Sequence, residues 1–575
     1  MNQDGENGNQ QFDVAIIGSG VSGLMSAAIL SKAGYSVCVL EMESRIGGYL
    51  AGFRRKDFRF DTAIHWLNQT GPEGMVTKMF EFLGSDYPQT VPQKRIRRFK
   101  GESFDYLLTN HPDDLKKEWI QKYPHEKKGI EKFFKAARKI AHSFDNYSNM
   151  FRSEETMTVL EKGRHKLQLL KFATPFLRYI GYTGEAGLKK GLNRFFKEPE
   201  LHAIFCSEPD LLSVLVPIAW AYIGDFQSPP KGGSQVIPEW LHHIIEHFDG
   251  TVLTRAKVQD IILEDDRCKG LRVVHKKKPL EIRSDYVIAC CDVETLYEKM
   301  LPTHSVPELK KKKLKDAKLY SSSVTISLAL DCTAEELGFN EELIFLSRDD
   351  ISREEQSNGS PETSGISILA PTFRDKSLAP EGMGTLTLYV PAFMHQDNFW
   401  HTEKDEEGNI VRGEAYKKFK SDYADTIIDR VESTLAPGLR EHITYIDVAT
   451  PVTHWRYTGN RDGTMMGART GRENMQAKIA HYQTPVEGLV LGGHWAELGG
   501  GVPIAVKSAA NASLLVLRKK NPKAFRLLAD YMDGKISLKR ILSSEAFKDY
   551  DNSWVAKPTP ADSKKTLQTA PKANI

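Results

Sequence analysis

Cysteine is scarce in this chain, with six residues among 575, at positions 38, 206, 268, 290, 291 and 332. None forms a CxxC pair or stands at zinc-site spacing, so no metal is expected and the fold does not rest on disulfides. Net charge is nearly absent as well: 78 Lys and Arg against 75 Asp and Glu leave +3, which argues against nucleic acid as a partner. The clusters Lys276–Lys278 and Lys310–Lys313 read as solvated faces, with contact to anionic lipid as the other reading. Long apolar runs are missing too. The longest, Leu211 to Gly224, is too short to span a bilayer and is broken by Pro217. Residues 1–11 are polar and lack the apolar centre of a signal peptide. The expectation is a cytoplasmic protein, or one lying on the cytosolic side of a membrane. Oligomeric state is not legible, and no repeat of fixed period occurs.

What is present begins at Phe12. The apolar run Asp13-Val14-Ala15-Ile16-Ile17 leads into Gly18-Ser19-Gly20-Val21-Ser22-Gly23, and Glu41 follows eighteen residues later. A buried parallel strand, a tight glycine turn and a helix over 20–34 suit the pyrophosphate of a dinucleotide, which the helix N-terminus attracts. A second strand, Ser36–Leu40, delivers Glu41 to the ribose hydroxyls. NAD or FAD satisfies this unit alone. The added Arg45-Ile46-Gly47-Gly48 resembles the second phosphate-side loop of FAD enzymes of the amine oxidase and phytoene desaturase superfamily, and FAD is the expected cofactor.

A chain of 575 residues exceeds what one core fills, so two domains are expected. The cofactor-like segments are scattered, which implies an α/β, Rossmann-type FAD domain that is discontinuous (12–67, 229–300 and 480–520). A second, α+β substrate domain would take 68–228, read as helix-rich, and 301–479. Residues 521–550 form a helical extension, and 1–11 and 551–575 read as disordered. Strands are expected at 324–330 and 384–390, a surface loop over 348–364 and a helix over 413–436. A glycine turn after Gly488–Leu491 and the run Gly499-Gly500-Gly501-Val502-Pro503 precede the last helix, expected over 503–518.

Over nearly its whole length the sequence resembles the phytoene desaturase, carotenoid isomerase and retinol saturase family of flavoproteins. The matching pieces are VAIIGSGVSGL with Glu41 and Arg45-Ile46-Gly47-Gly48; Phe60-Asp61; KGGSQ at 231–235; Tyr457-Thr458-Gly459-Asn460; and the segments around 488–503. Phe60–Trp66 and the pattern ending in Asn398-Phe399-Trp400 look most like the retinol saturase branch, whereas GGGVPIAVKSAA looks more like the desaturases and isomerases. The resemblance assigns Gly18, Ser19, Gly20 and Gly23 to the pyrophosphate turn and Glu41 to the adenosine ribose. It places Arg45, Gly47 and Gly48 at the second diphosphate loop and the Val258 backbone at the adenine. Gly493, near His494, and Val502 fall at the phosphate and isoalloxazine end.

The implied activity is flavin-dependent saturation, isomerisation or desaturation of a carbon–carbon double bond in an apolar polyene or isoprenoid lipid. NAD(P)H would act only as an external reductant, because no second strand-GxGxxG-helix unit occurs. A saturase also needs one acid. His65 and His494 are the candidates, followed by Glu497 and Tyr457, although each histidine also has an ordinary structural reading. Asp61 reads as a loop-fixing acceptor. Trp66, Trp220, Tyr222, Trp400 and Trp495 could wall an apolar tunnel or simply pack a core. The stretches 165–180 and 211–223 are candidates for a lipid-facing surface through which substrate enters, a peripheral membrane contact. Two other functions stay open: an amine- or porphyrinogen-oxidising flavoenzyme on the same scaffold, and a flavin-free escort that binds a prenyl group.

Overall fold

The computed structural model describes residues 9–203, 210–394, 397–406 and 409–557. The strand Asn9–Ile17 lies at the centre of the first sheet, parallel to Val37–Leu40 on one side and Lys278–Ala289 on the other. Val14, Ala15 and Ile16 are fully buried, as expected for a parallel strand covered on both faces. Thr251–Leu253 extends the sheet beyond Val37–Leu40. The long strand Lys278–Ala289 uses its first half to pair antiparallel with Arg267–His275, which pairs in turn with Ala256–Glu264. Its last residues pair with Leu489–Leu491 instead. Strands far apart in sequence therefore end along one edge, where Cys290 N donates to Ile17 O (2.9 Å) and Gly492 N donates to Ala289 O (2.8 Å).

The helix Val21–Lys32 packs against Val236–His247 and against Gly501–Lys520. Every residue after Val21 is buried, so this helix has no solvent stripe. The closing helix begins at Gly501, two residues before the expected start, because Pro503 is tolerated in a first turn. Ser22 Oγ donates to Ala505 O at 2.5 Å, tying the starts of the two helices together.

Residues 9–11 are not disordered but open the first strand opposite residues 281–283, since strand pairing needs backbone groups rather than apolar side chains. At the other end, residues 551–557 have no regular structure, yet Trp554 N donates to Asp86 Oδ2 (2.9 Å) and Ser85 N to Asn552 Oδ1 (2.6 Å). The rest of both expected tails lies outside the described residues.

A second sheet runs in the order 443–449, 322–330, 384–392, 366–369, 343–346, 95–100 and 105–109. Ser322–Leu330 and Gly384–Ala392 pair antiparallel, with Ile326 opposite Leu388. Two members, Arg95–Lys100 and Asp105–Thr109, fall inside the stretch read as helix-rich. The segment RIRRFK is basic, but Ile96 and Phe99 are buried and give the strand its apolar face. The polar segment 348–364 is not a plain surface loop. Arg353, Gln356 and Ser364 are buried, and the Gln356 amide bonds both the N–H and the C=O of Arg348.

Helices Pro112–Lys122, Lys127–Ala141 and Leu211–Tyr222 pack over the outer part of this sheet around Trp119, Phe133 and Phe134. Leu211–Tyr222 continues through Pro217, with half of its residues buried and none exposed. Of the two candidate lipid-facing stretches, this one is core. The other belongs to the helix Val159–Leu177, where Leu160, Leu167, Leu170 and Leu177 are all more than half exposed. Among the described residues, no helix is long and apolar enough to cross a membrane.

Candidate functional site

The first turn is built by close backbone approach. A Cβ on Gly23 would lie 1.9 Å from Gly18 O, and one on Gly18, at φ +96°, would lie 2.9 Å from Cys290 O. Neither position accepts a side chain. A Cβ on Gly20 would meet nothing within 4 Å, so that face of the turn is free for a ligand. Ser19 O accepts from Gly47 N (2.9 Å), and a Cβ on Gly48 would stand 3.1 Å from Gly20 Cα. The two glycine motifs thus form one cradle. Arg45 sits at its rim, where its guanidinium donates to Gly52 O (3.1 Å).

Glu41 stands at the end of Val37–Leu40, buried, with Ser19 N and Oγ donating to one carboxylate oxygen at 3.0 and 2.6 Å. The other oxygen accepts from Glu43 N at 2.8 Å. The Glu41 backbone pairs with Leu253 O and Ala256 N, which sets Val258 two residues along the adjoining strand, its side chain buried. Gly493 follows Leu489–Leu491, and a Cβ there would be 3.8 Å from Cys290 Cα, beside the residue that contacts Gly18. Val502 is buried in the first turn of the closing helix. The first glycine turn, Glu41 and the C-terminal loop are therefore gathered along one sheet edge.

The four candidate proton-handling residues occupy different settings. His494 lies on the C-terminal loop; its Nε2 is buried without a partner, and burial lowers its pKa to about 4. A Cβ on Gly467 would fall 2.2 Å from the His494 ring, so another backbone segment presses on the imidazole. His65 is set edge-on to Tyr389, with ring centroids 4.6 Å apart. Both its ring nitrogens are buried and unpartnered, and burial together with the Arg97 charge lowers its pKa to about 3. Both imidazoles are neutral at pH 7. Glu497 is engaged by Lys507 Nζ (3.0 Å) and by the Tyr482 hydroxyl, which donates at 2.7 Å. Tyr457 is 48% exposed beneath the Arg456 guanidinium, outside this interior.

Asp61 fixes a loop. Ser234 donates to it from N and from Oγ, each at 2.8 Å, while the neighbouring Gln235 Oε1 accepts from Gly52 N. Burial raises the Asp61 pKa against those two donors. Trp66, Trp220 and Phe226 form an aromatic row, with Trp66–Phe226 and Trp220–Phe226 centroids both 5.9 Å apart. Trp400 is instead fully enclosed in the core of the second sheet, donating to Phe393 O. Sequence reasoning missed Tyr49, whose hydroxyl donates to Thr464 O (2.9 Å) just after Gly48, and Gly467 and Lys507. Tyr49 was detectable from its place beside the second glycine pair; Gly467 and Lys507 gain meaning only through tertiary packing.

The residues fit a dinucleotide. Gly18, Gly23 and Gly48 let backbone segments approach where side chains would clash, Gly20 leaves its face open, the buried Glu41 carboxylate ends the second strand beside this turn, and His494 Nε2 and Trp495 Nε1 on the C-terminal loop are buried without partners among the described residues. Comparison with known proteins agrees. All-trans-retinol 13,14-reductase of Danio rerio is 25% identical over 560 residues, covering 91% of this chain and 89% of that protein. The chloroplastic prolycopene isomerase of Daucus carota is 24% identical over 509 residues, covering 86% and 78%. Among solved structures, putrescine oxidase bound to putrescine gives a TM-score of 0.57 at 14% identity, over 89% of this chain and all of that one. An oxidoreductase from Methanosarcina mazei gives 0.54 at 17% identity, over 88% and all of that chain. Residues 21–517 match the family described as flavin containing amine oxidoreductase, and the chain belongs to that family as an FAD-dependent oxidoreductase.

Proposed function

We propose that this enzyme acts on a carbon–carbon double bond of an apolar polyene or isoprenoid lipid. The observation that carries the reading is the interior around Tyr49, His65, Trp66, Tyr389 and His494. It is aromatic, its histidines are neutral, and Tyr49 follows directly on Gly48 of the glycine cradle. The similarity to a retinol reductase and a prolycopene isomerase over most of the chain supports the same substrate class.

Gly18, Ser19, Gly20, Gly23, Gly47 and Gly48 would hold the diphosphate with Arg45 at its rim, Glu41 the ribose, Val258 the adenine, and Gly493 with Val502 the ring end. Bound FAD supplies the two-electron redox chemistry. The chain aligns the reacting carbons, excludes water and handles protons. We assign the proton-handling position to His494, which keeps an unpartnered nitrogen on the C-terminal loop, and the wall facing the substrate to His65. Glu497 acts through its ion pair with Lys507.

The exposed leucines of Val159–Leu177, interspersed with Lys162, Arg164, Lys166 and Lys171, are assigned to a peripheral membrane contact through which such a lipid enters. The deciding experiment is anaerobic photoreduction of the purified flavoprotein followed by retinoid and carotenoid panels with product mass analysis. A gain of two mass units identifies saturation, unchanged mass with altered retention identifies isomerisation, and a loss of two with oxidised enzyme identifies desaturation. Peroxide release with amines and no polyene product would overturn the reading.

A further inference from the structure

We infer that Arg97 is the receptor for a carboxylate, so that the substrate is a polyene or isoprenoid acid rather than a hydrocarbon or a neutral alcohol. The inference rests on the apolar-lipid reading above and names the polar end of that lipid. Arg97 lies on Arg95–Lys100, an inner strand of the second sheet, away from the dinucleotide cradle. Its guanidinium lies over the Trp66 ring, 4.8 Å from the centroid, and 5.8 Å from that of Phe99. Its neighbours Arg95 and Arg98 are paired, with Glu341 and Asp105. Arg97 has no carboxylate or hydrogen-bond acceptor among the described residues.

A cation in such surroundings is costly unless an anion or several acceptors meet it. The cost is visible, because loss of water lowers the Arg97 pKa to about 10. The residue nevertheless is not fully closed off from solvent. His65 gives a second, independent sign. Its two ring nitrogens are buried with no partner, and its ring lies 6.0 Å from that of Trp66, the same ring that the Arg97 guanidinium covers. Buried polar groups are normally paired. Two neighbouring orphans that can both donate call for one acceptor between them, and a carboxylate takes a guanidinium fork and an imidazole N–H together. An alcohol would leave the charge uncompensated. Trp66 also joins this anchor to the apolar, aromatic packing of Phe226 and Trp220.

The test uses the flavin-loaded enzyme and Trp fluorescence quenching with two matched pairs of probes, all-trans-retinoate against all-trans-retinol and palmitate against hexadecanol. The wild type should prefer retinoate. Arg97→Gln should weaken retinoate binding about 30-fold, the order supplied by charge-assisted hydrogen bonds, and retinol binding less than about 3-fold. Arg97→Lys should restore part of the difference, and unchanged flavin content shows that each variant folds. If neither retinoid binds but palmitate is preferred in an Arg97-dependent way, the polyene reading fails and the carboxylate receptor stands. Equal losses within both pairs, or no preference for the acid in either, would overturn the inference.

Discussion

Glu41 has no cationic partner among the described residues, and three donors hold it, two from Ser19 and one from Glu43. That arrangement couples Glu41, which we assign to the ribose, to the first glycine turn, because Ser19 belongs to that turn. Replacing Glu41 with Ala removes the acceptor without touching the backbone bonds to Leu253 and Ala256 that keep the strand end in place. The variant should fold and bind FAD about 10- to 100-fold more weakly, the range for hydrogen bonds to a charged group. Flavin absorbance after dilution and desalting checks this, and full retention would show that Glu41 does not carry the ribose. These residues were legible because the fingerprint is local: strand, turn, helix and acid follow one another within about thirty residues. Arg97 and Lys507 were not. An arginine in a basic run and a lysine in a long helix look solvated until the fold shows one stacked on Trp66 and the other beside Glu497.

Among the elements, pattern failed where burial and polarity disagree. Leu211–Tyr222 is apolar enough to suggest a lipid surface, yet it is covered by Lys127–Ala141, whereas the more polar Val159–Leu177 leaves its leucines in solvent. Periodicity shows that a helix has an apolar side but not which neighbour takes it. The exposed side of Val159–Leu177 carries Leu160, Leu167, Leu170 and Leu177 at helical spacing, with four basic side chains in the helix against the single acid Glu161. Such a surface favours an anionic interface through both apolar insertion and charge. Changing these four leucines to Ser should abolish sedimentation with phosphatidylserine vesicles while leaving flavin content and binding of detergent-solubilised retinoid unchanged. Undiminished sedimentation would remove this helix as the contact. The strands 95–100 and 105–109 failed for the converse reason, since basic side chains on one face mask an apolar face that only sheet pairing reveals.

Across the whole molecule, the interior keeps its imidazoles uncharged. His65 is shifted to about 3 and His454, His481 and His494 to about 4, in each case chiefly by burial. Below the unfolded value near 6.5 the unfolded chain therefore binds protons that the folded one refuses, and stability falls as pH drops from about 6.5 toward 4. Asp225, raised to about 6 by burial, acts in the opposite sense, because its folded form takes up a proton first and relieves a cost as the solution is acidified. The net slope is a difference, so it is best isolated at one site. His454 suits this purpose: burial alone shifts it, and its Nε2 lies 3.2 Å from Ser323 Oγ, a contact Gln can replace. Between pH 7 and 5 this histidine should cost about 2 kcal/mol of stability. His454→Gln should therefore lose about 2 kcal/mol less than the wild type over that interval, measured by urea unfolding at both pH values with flavin bound. Equal losses in the two proteins would mean that the imidazole is protonated within the folded state, and that the interior beside Tyr49 and Tyr389 admits water.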